Sequence, residues 1–495
     1  MSETLVQTSF GQVIGENVDG IAVWKGIPYA KAPIGKLRFS PPQSPDAWEG
    51  VYEATQFGPS AIQPEREMMR FLDAHVEEDE MSEDCLYLNI WSPGADNKKR
   101  AVMVWIHGGA FMNGSGNSKS YNGASFAAHH DVVVVTINYR LGVFGFLHLG
   151  SIDNEQFAGT GNCGILDQIA ALKWVKENIE AFGGDPNNIT VFGESAGAMS
   201  IGILLAIPSA SGLFQKAILQ SGAARNVLPS VVATQVCTDI LAKLGIDKEH
   251  LSRLEEVSTA ELLEASRHVS PMLLGPVIDG VVIQEPPELS IVNGASKHID
   301  LLIGTTKDEY CLFTYVDAPL DGLDEEGIDL YLKKMLTHKW DQIKLNLQHE
   351  TLNKALVEKV LTFDIFTAPA IWLAEQQARQ GASVWMYRFD WESPVLDGEL
   401  KACHALEIPF VWHQLNKSTE FLLGNAPDYA LAHHMHKAWA TFAKEGDPNI
   451  EELPTWPAYH VKNRETMLFD VNCQTVQNPD KQYRLIWDAV SLSIN

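Results

Sequence analysis

Six short runs in this chain are apolar at successive positions instead of alternating with polar residues: 101–106 (AVMVWI), 132–138 (VVVVTIN), 189–192 (ITVF), 216–220 (KAILQ), 301–304 (LLIG) and 384–389 (VWMYRF). A strand with no polar face has to be covered on both sides, as strands are in a parallel sheet layered with helices. Helical patterns fall between the runs. Residues 164–180 carry Ile165, Ile169, Leu172, Val175 and Ile179 at helical spacing, and 429–444 repeats the pattern with Leu431, Met435, Ala438 and Phe442. The alternation predicts an α/β fold, a central and mostly parallel sheet flanked by helices. Two stretches leave this rhythm: 225–275 and 312–380 are helical in pattern without strong strands and are expected to form cap-like helical insertions. Residues 64–84 are polar, hold Glu77, Glu78, Asp79, Glu80, Glu83 and Asp84, and read as a surface loop.

The sharpest local signal is Gly193-Glu194-Ser195-Ala196-Gly197, with the strand 189–192 before it and AMSIGILLAI after it. A serine on a sharp strand-to-helix turn needs small neighbours, because larger side chains clash there. The helix that follows points free N–H groups and its positive end at the serine, which suits an oxyanion. The N–H of Ala196 is the first candidate donor. Gly109 and Ala110 supply the others, in Trp105-Ile-His107-Gly108-Gly109-Ala110-Phe111 directly after the strand 101–106, where small residues let backbone N–H groups approach a carbonyl. Each motif alone also reads as an ordinary tight turn. Together they point to nucleophilic catalysis at Ser195.

Two longer segments carry a family likeness. Phe182-Gly-Gly-Asp-Pro-Asn-Asn-Ile-Thr-Val-Phe-Gly-Glu-Ser195-Ala-Gly197 and Glu83-Asp-Cys-Leu-Tyr-Leu-Asn-Ile-Trp-Ser-Pro93 resemble the two signatures of the type-B carboxylesterases, members of the α/β-hydrolase superfamily. The likeness runs from Gly26-Ile-Pro-Tyr-Ala30 to Trp456-Pro-Ala-Tyr459 and is to the bacterial para-nitrobenzyl-esterase-like branch. It implies an α/β-hydrolase fold and a serine esterase that cleaves small, fairly apolar carboxylic esters with water through an acyl-enzyme, with no cofactor or metal. It also implies the other two members of a triad. The family's acid segment matches Gly304-Thr-Thr-Lys-Asp308-Glu309 and its histidine segment matches His404-Ala-Leu-Glu-Ile-Pro-Phe410, giving Ser195, Glu309 and His404 in the chain order of α/β-hydrolases. His404 would take the Ser195 proton and Glu309 would hold the imidazole. By the same likeness, Glu194 and Ser221 are supporting positions around the histidine and acid.

Without the resemblance, 16 histidines and 63 carboxylates remain to choose from. Asp308 is the neighbouring rival for the acid, and Glu407 reads as a structural carboxylate. His433, His434 and His436 read as a solvated helix face and not as a metal site. Gly159-Thr-Gly161-Asn-Cys-Gly164 matches G-x-G-x-x-G but follows the polar IDNEQF, which offers no buried strand to present a pyrophosphate. Phe313, Ile365 and Phe366 are candidate pocket-lining residues by position, with core packing the equal alternative. Cholinesterase-like members of the resembled family place a tryptophan in the 64–84 loop for the choline cation; none lies between Trp48 and Trp91, which argues against a cholinesterase. Amide hydrolysis by the same triad and a non-catalytic interaction protein are the competing functions. Ser195, Glu309 and His404 are far apart in sequence but must meet, so 1–495 is read as a single domain.

Composition narrows the partners. With 37 Lys+Arg against 63 Asp+Glu the chain carries a formal charge of −26, which makes it a poor ligand for nucleic acid. No apolar run approaches the roughly 18 to 20 residues of a membrane helix. The start MSETLVQTSFGQVIG has neither a basic nor an apolar leader region, so a cytoplasmic protein is expected. The six cysteines are widely spaced and are expected to be buried free thiols. Secreted members of the resembled family close the 64–84 loop with a disulfide, but no cysteine precedes Cys85 here; by the same likeness the loop borders the entrance to the site, so its acidic residues predict a mild bias against anionic esters. The sequence carries no signal for oligomeric state.

Overall fold

The computed structural model describes residues 4–65, 80–270, 272–316, 320–425 and 427–492. Its main sheet has eleven strands: β1 Glu16–Val18, β2 Ile21–Pro28, β3 Tyr87–Ser92, β4 Arg100–Ile106, β5 Val133–Ile137, β6 Gly184–Glu194, β7 Lys216–Gln220, β8 Asp300–Thr306, β9 Val384–Phe389, β10 Glu465–Phe469 and β11 Gln474–Gln477. Their spatial order is β11-β10-β9-β8-β7-β6-β4-β5-β3-β2-β1. From β5 to β10 the neighbours are parallel, and the pairs at the two ends are antiparallel. All six apolar runs are strands of this sheet.

The continuous apolar pattern follows from two cores, one on each face. In β4, Val102, Val104 and Ile106 belong to one core while Met103 and Trp105 belong to the other. On the first face lie α2 (Cys163–Asn178) and α3 (Ala196–Leu204), through residues such as Ile165, Leu172 and Ile201. On the second lie α1 (Ala124–His130), through Phe126, and a long helix over Tyr429–Glu445, through Leu431, Met435 and Trp439. The stripe expected for α2 is buried, yet so are Asp167, Gln168 and Trp174 on its other sides. Asp167 is buried because it takes the Arg140 guanidinium at 2.7 and 2.8 Å.

The two excursions are helical. The first holds α4 (Ser230–Lys243), a 3-10 stretch over Lys248–Glu255, and α5 (Thr259–Ser266). The second holds α6 (Cys311–Val316), α7 (Glu325–Leu336), α8 (Lys339–Asn346), α9 (Lys354–Thr362), a π-helical turn at Phe363–Thr367, and α10 (Ala368–Arg379). The helix Tyr429–Glu445 is α11.

Several sequence expectations change. Residues 66–79, including Glu77, Glu78 and Asp79, lie outside the described residues, but the flanks of the 64–84 stretch are not open loop. Ser60–Ala61 pairs with Met81–Ser82 in parallel. Glu83 takes a bidentate contact from Arg38, whose guanidinium also donates to the carbonyls of Leu254 and Val257 at 2.8 and 2.6 Å. Glu83 is therefore no free surface charge, and the expected bias against anionic esters loses that contribution. On α11, His433 is exposed and His434 half-buried, but His436 is buried and not on a solvated face. Its Nδ1 lies 2.7 Å from the Val411 carbonyl and its Nε2 3.2 Å from Ser125 Oγ. Among the described residues no group of three or more His, Cys, Asp or Glu is arranged to hold a metal ion. The glycines of 159–164 serve packing: a Cβ on Gly161 would lie 2.5 Å from Val277 Cγ1, and one on Gly164 2.4 Å from Phe146 Cζ. All six cysteines are free, five buried and Cys473 half-buried. No helix among the described residues is long and apolar enough to cross a membrane.

Candidate active site

Register assembles the site. Ile106 of β4 pairs with Gly193 of β6, Gly193 with Leu219 of β7, and Leu219 with Ile303 of β8, so these strands end in one row. The segments leaving that row carry Gly109 and Ala110, Ser195, Ser221 and Glu309. This is the carboxyl edge of the parallel sheet, where open α/β sheets place their ligands.

Ser195 sits between β6 and α3 at φ 52° and ψ −123°, a strained conformation for a residue with a side chain. Close approach forces the glycines beside it. A Cβ on Gly193 would fall 2.6 Å from the Ile106 carbonyl oxygen, and one on Gly197 only 2.0 Å from the same atom. The Ser195 N–H donates to the Gln220 carbonyl at 2.9 Å, which ties the turn to β7.

The glycine loop after β4 lies against this turn. A Cβ on Gly108 would sit 2.8 Å from the Glu194 carbonyl oxygen and 3.1 Å from Ser195 Cβ. Gly109, Ala110 and Phe111 all have positive φ, at 110°, 56° and 60°. The Gly109 carbonyl takes the N–H groups of Met112 and Asn113 at 3.0 and 2.9 Å, which turns the loop. The N–H groups of Gly109, Ala110 and Ala196 donate to no acceptor among the described residues. Nearby, His107 is buried against Tyr139, and burial lowers its pKa to about 4, so it stays neutral.

The structure brings Glu309, His404, Ser221 and Glu194 together. His404 Nδ1 lies 2.5 Å from Glu309 Oε2. The other Glu309 oxygen accepts the Ser221 hydroxyl at 2.6 Å and the Thr306 N–H at 2.8 Å, and the whole carboxylate is buried. Ser221 adopts φ 54° just after β7. Asp308, the rival acid, points elsewhere: its N–H donates to the Ala402 carbonyl at 2.9 Å, and its carboxylate makes no contact with His404 among the described residues. Glu194 is closer to the imidazole than expected of a supporting residue, with Oε1 at 3.1 Å from His404 Nε2. Ser195 Oγ is in no hydrogen bond with the imidazole in this arrangement, and Glu194 faces the nitrogen it would use.

Electrostatics at His404 are a contest. Burial lowers its pKa, but Glu194 and Glu309 outweigh that and hold it up at about 9. Burial likewise raises Glu194 to about 8 and Glu407 to about 7, with Glu309 pushing both the same way. Glu407, read from the sequence as structural, lies under the site, where Gln220 Nε2 donates to it at 3.0 Å and Trp439 Nε1 holds Gln220 at 3.0 Å. Gln220 went unrecognised in the sequence because a polar residue inside an apolar strand has no motif, and Trp439 because a tryptophan on a buried helix face reads as core. Of the candidate lining residues, Phe313 and Phe366 pack on the imidazole with ring centroids 5.3 and 4.9 Å away. Ile365, on the same π-helical turn as Phe366, is half-buried against the core.

Comparison with known proteins agrees with this fold. Residues 2–487 match the model of the carboxylesterase family. The para-nitrobenzyl esterase of Bacillus subtilis is 42% identical over 494 residues, covering 98% of each chain. A human cocaine esterase is 34% identical, covering 94% of this chain and 87% of its own. Among solved structures, a carboxylesterase of Geobacillus stearothermophilus superposes with a TM-score of 0.89 at 46% identity, covering 98% of this chain and 100% of that one. A para-nitrobenzyl esterase superposes at 0.87 and 42% identity, with the same coverage.

Proposed function

The chain belongs to the carboxylesterase family, and from that premise we propose that Ser195, Glu309 and His404 are its catalytic triad and that small, fairly apolar esters are its substrates. The protein is a serine esterase of the α/β-hydrolase fold. Ser195 Oγ attacks the ester carbonyl carbon as His404 Nε2 takes its proton, while Glu309 keeps the other ring proton on Nδ1 and stabilises the imidazolium. The N–H groups of Gly109, Ala110 and Ala196 receive the tetrahedral oxyanion. Collapse expels the alcohol, protonated by His404. Water, activated by the same imidazole, then releases the acid from the acyl-enzyme. For Nε2 to serve Ser195, the imidazole leaves its contact with Glu194, a small adjustment of the kind expected when substrate-free sites tighten on binding.

The observation that carries this reading is the buried Glu309–His404 contact of 2.5 Å at the strand row that also presents Ser195 on its strained turn. Phe313 and Phe366 beside the imidazole favour an apolar acyl or alcohol group. The two helical insertions are read as parts of one domain, and the second brings Phe313 and Phe366 to the imidazole. Hydrolysis of para-nitrophenyl acetate by the wild type and by Ser195→Ala tests the assignment. The variant should lose at least about 10⁴-fold in kcat/KM; turnover like that of the wild type refutes it.

A further inference from the structure

We propose that Glu358 is a positioning residue for His404, acting through Lys401; this rests on the reading of Ser195, Glu309 and His404 given above. Glu358 belongs to α9 in the second insertion, and its carboxylate is buried. Both of its oxygens are used. Oε1 accepts the Thr314 hydroxyl at 2.7 Å, and Oε2 accepts the Lys401 ammonium at 2.9 Å. Thr314 lies on α6, the helix that begins two residues after Glu309, and Lys401 lies three residues before His404. A single carboxylate therefore bridges the two segments that carry the imidazole and its acid.

The His404 segment needs such a hold. Lys401 and Ala405 flank it at φ 51° and 66°, left-handed conformations that are unfavourable for residues with a side chain and persist only where the surroundings impose them. Backbone bonds supply part of the constraint: Asp308 N–H to the Ala402 carbonyl at 2.9 Å, and His404 N–H to the Glu309 carbonyl at 3.3 Å. The Glu358–Lys401 pair anchors the segment from outside, onto a helix. That helix is fastened to the acid segment a second time, where the Tyr310 N–H donates to Thr362 Oγ1 at 3.0 Å. It then runs into the π-helical turn that presents Phe366 to the imidazole. Partial burial pulls the Lys401 pKa down, but the bond to Glu358 together with the nearby charges of Glu358 and Asp308 holds it above the usual lysine range. A loosened Lys401 would let the ring drift from Glu309, and small displacements of a base are expensive in rate.

The test is para-nitrophenyl acetate hydrolysis by Glu358→Gln, Lys401→Met, their double variant, Lys401→Arg and Ser195→Ala, each with its melting temperature. Glu358→Gln and Lys401→Met should each lower kcat by roughly ten- to a hundredfold with KM unchanged. The double variant should be no worse than the weaker single, and Lys401→Arg should recover most of the rate. Melting temperatures separate a loosened base from a failed fold, and the double variant leaves no unpaired charge buried. Unchanged kcat in the singles, additive losses in the double, or losses that only track melting temperature overturn the proposal. An active Ser195→Ala would instead defeat the site reading itself.

Discussion

His404 sits among three buried carboxylates, Glu194, Glu309 and Glu407, and the balance between desolvation and their charge sets the pH at which it can act as a base. In the proposed mechanism only the neutral imidazole accepts the Ser195 proton. Because the carboxylates hold its pKa up at about 9, the acid limb of kcat/KM should lie well above the ordinary histidine value of about 6.5. Replacing Glu194 with Gln removes one of those charges and should move the limb down. A pH–rate profile checks both, and a wild-type limb near 6.5 that Glu194→Gln leaves in place would refute the account. At this scale the sequence was uneven. Ser195 is legible from its small neighbours, whereas Glu309 and His404 are found only through the family likeness, since neither is close to Ser195 in the chain. The place of Glu194 near the histidine likewise comes only from the family likeness, and its close approach to Nε2 is not legible, because the strained turn at Ser195 decides where its neighbour's side chain points.

The unit β6, turn and α3 is the element on which the site depends. Its helix packs so close to β4 that Gly197 has no room for a methyl group, the nearest atoms being backbone of Ile106 and His107. Backbone cannot rotate away as a side chain would. Gly197→Ala should therefore cost about 1–3 kcal/mol of stability or more and displace Ser195 enough to remove most activity. Thermal melting and ester hydrolysis measure the two effects, and an unchanged melting temperature with full activity would show the contact to be slack. The inner strands were legible because their apolar runs have no polar face. The outer ones were not: β3 mixes a buried Asn89 into its pattern, where it accepts the Gly26 N–H at 2.9 Å and donates to Thr136 Oγ1 at 3.0 Å.

Across the whole molecule, acid tolerance should depend on histidines remote from the site. His436 on α11 is buried against Phe126 of α1, and burial lowers its pKa to about 3. Its value is therefore depressed in the folded state relative to about 6.5 unfolded, and below pH 6.5 the unfolded chain binds the extra proton. Its effect is absent above pH 6.5 and destabilises increasingly as the pH falls toward 3. Between pH 6.5 and 5 this amounts to about 2 kcal/mol. His436→Phe should flatten the fall in urea stability over that range by about this amount, and an identical slope in both proteins would contradict it.

In the proposed site, one row of strand ends brings an activated serine, its base and its oxyanion donors together. Labelling the native protein with a fluorophosphonate and sequencing the modified peptide by mass spectrometry tests it most directly, because only an activated serine reacts at a useful rate. A single adduct on Ser195, lost when His404 is replaced by Ala, is the expected result. No adduct, or one on another serine with Ser195 untouched, would contradict the account.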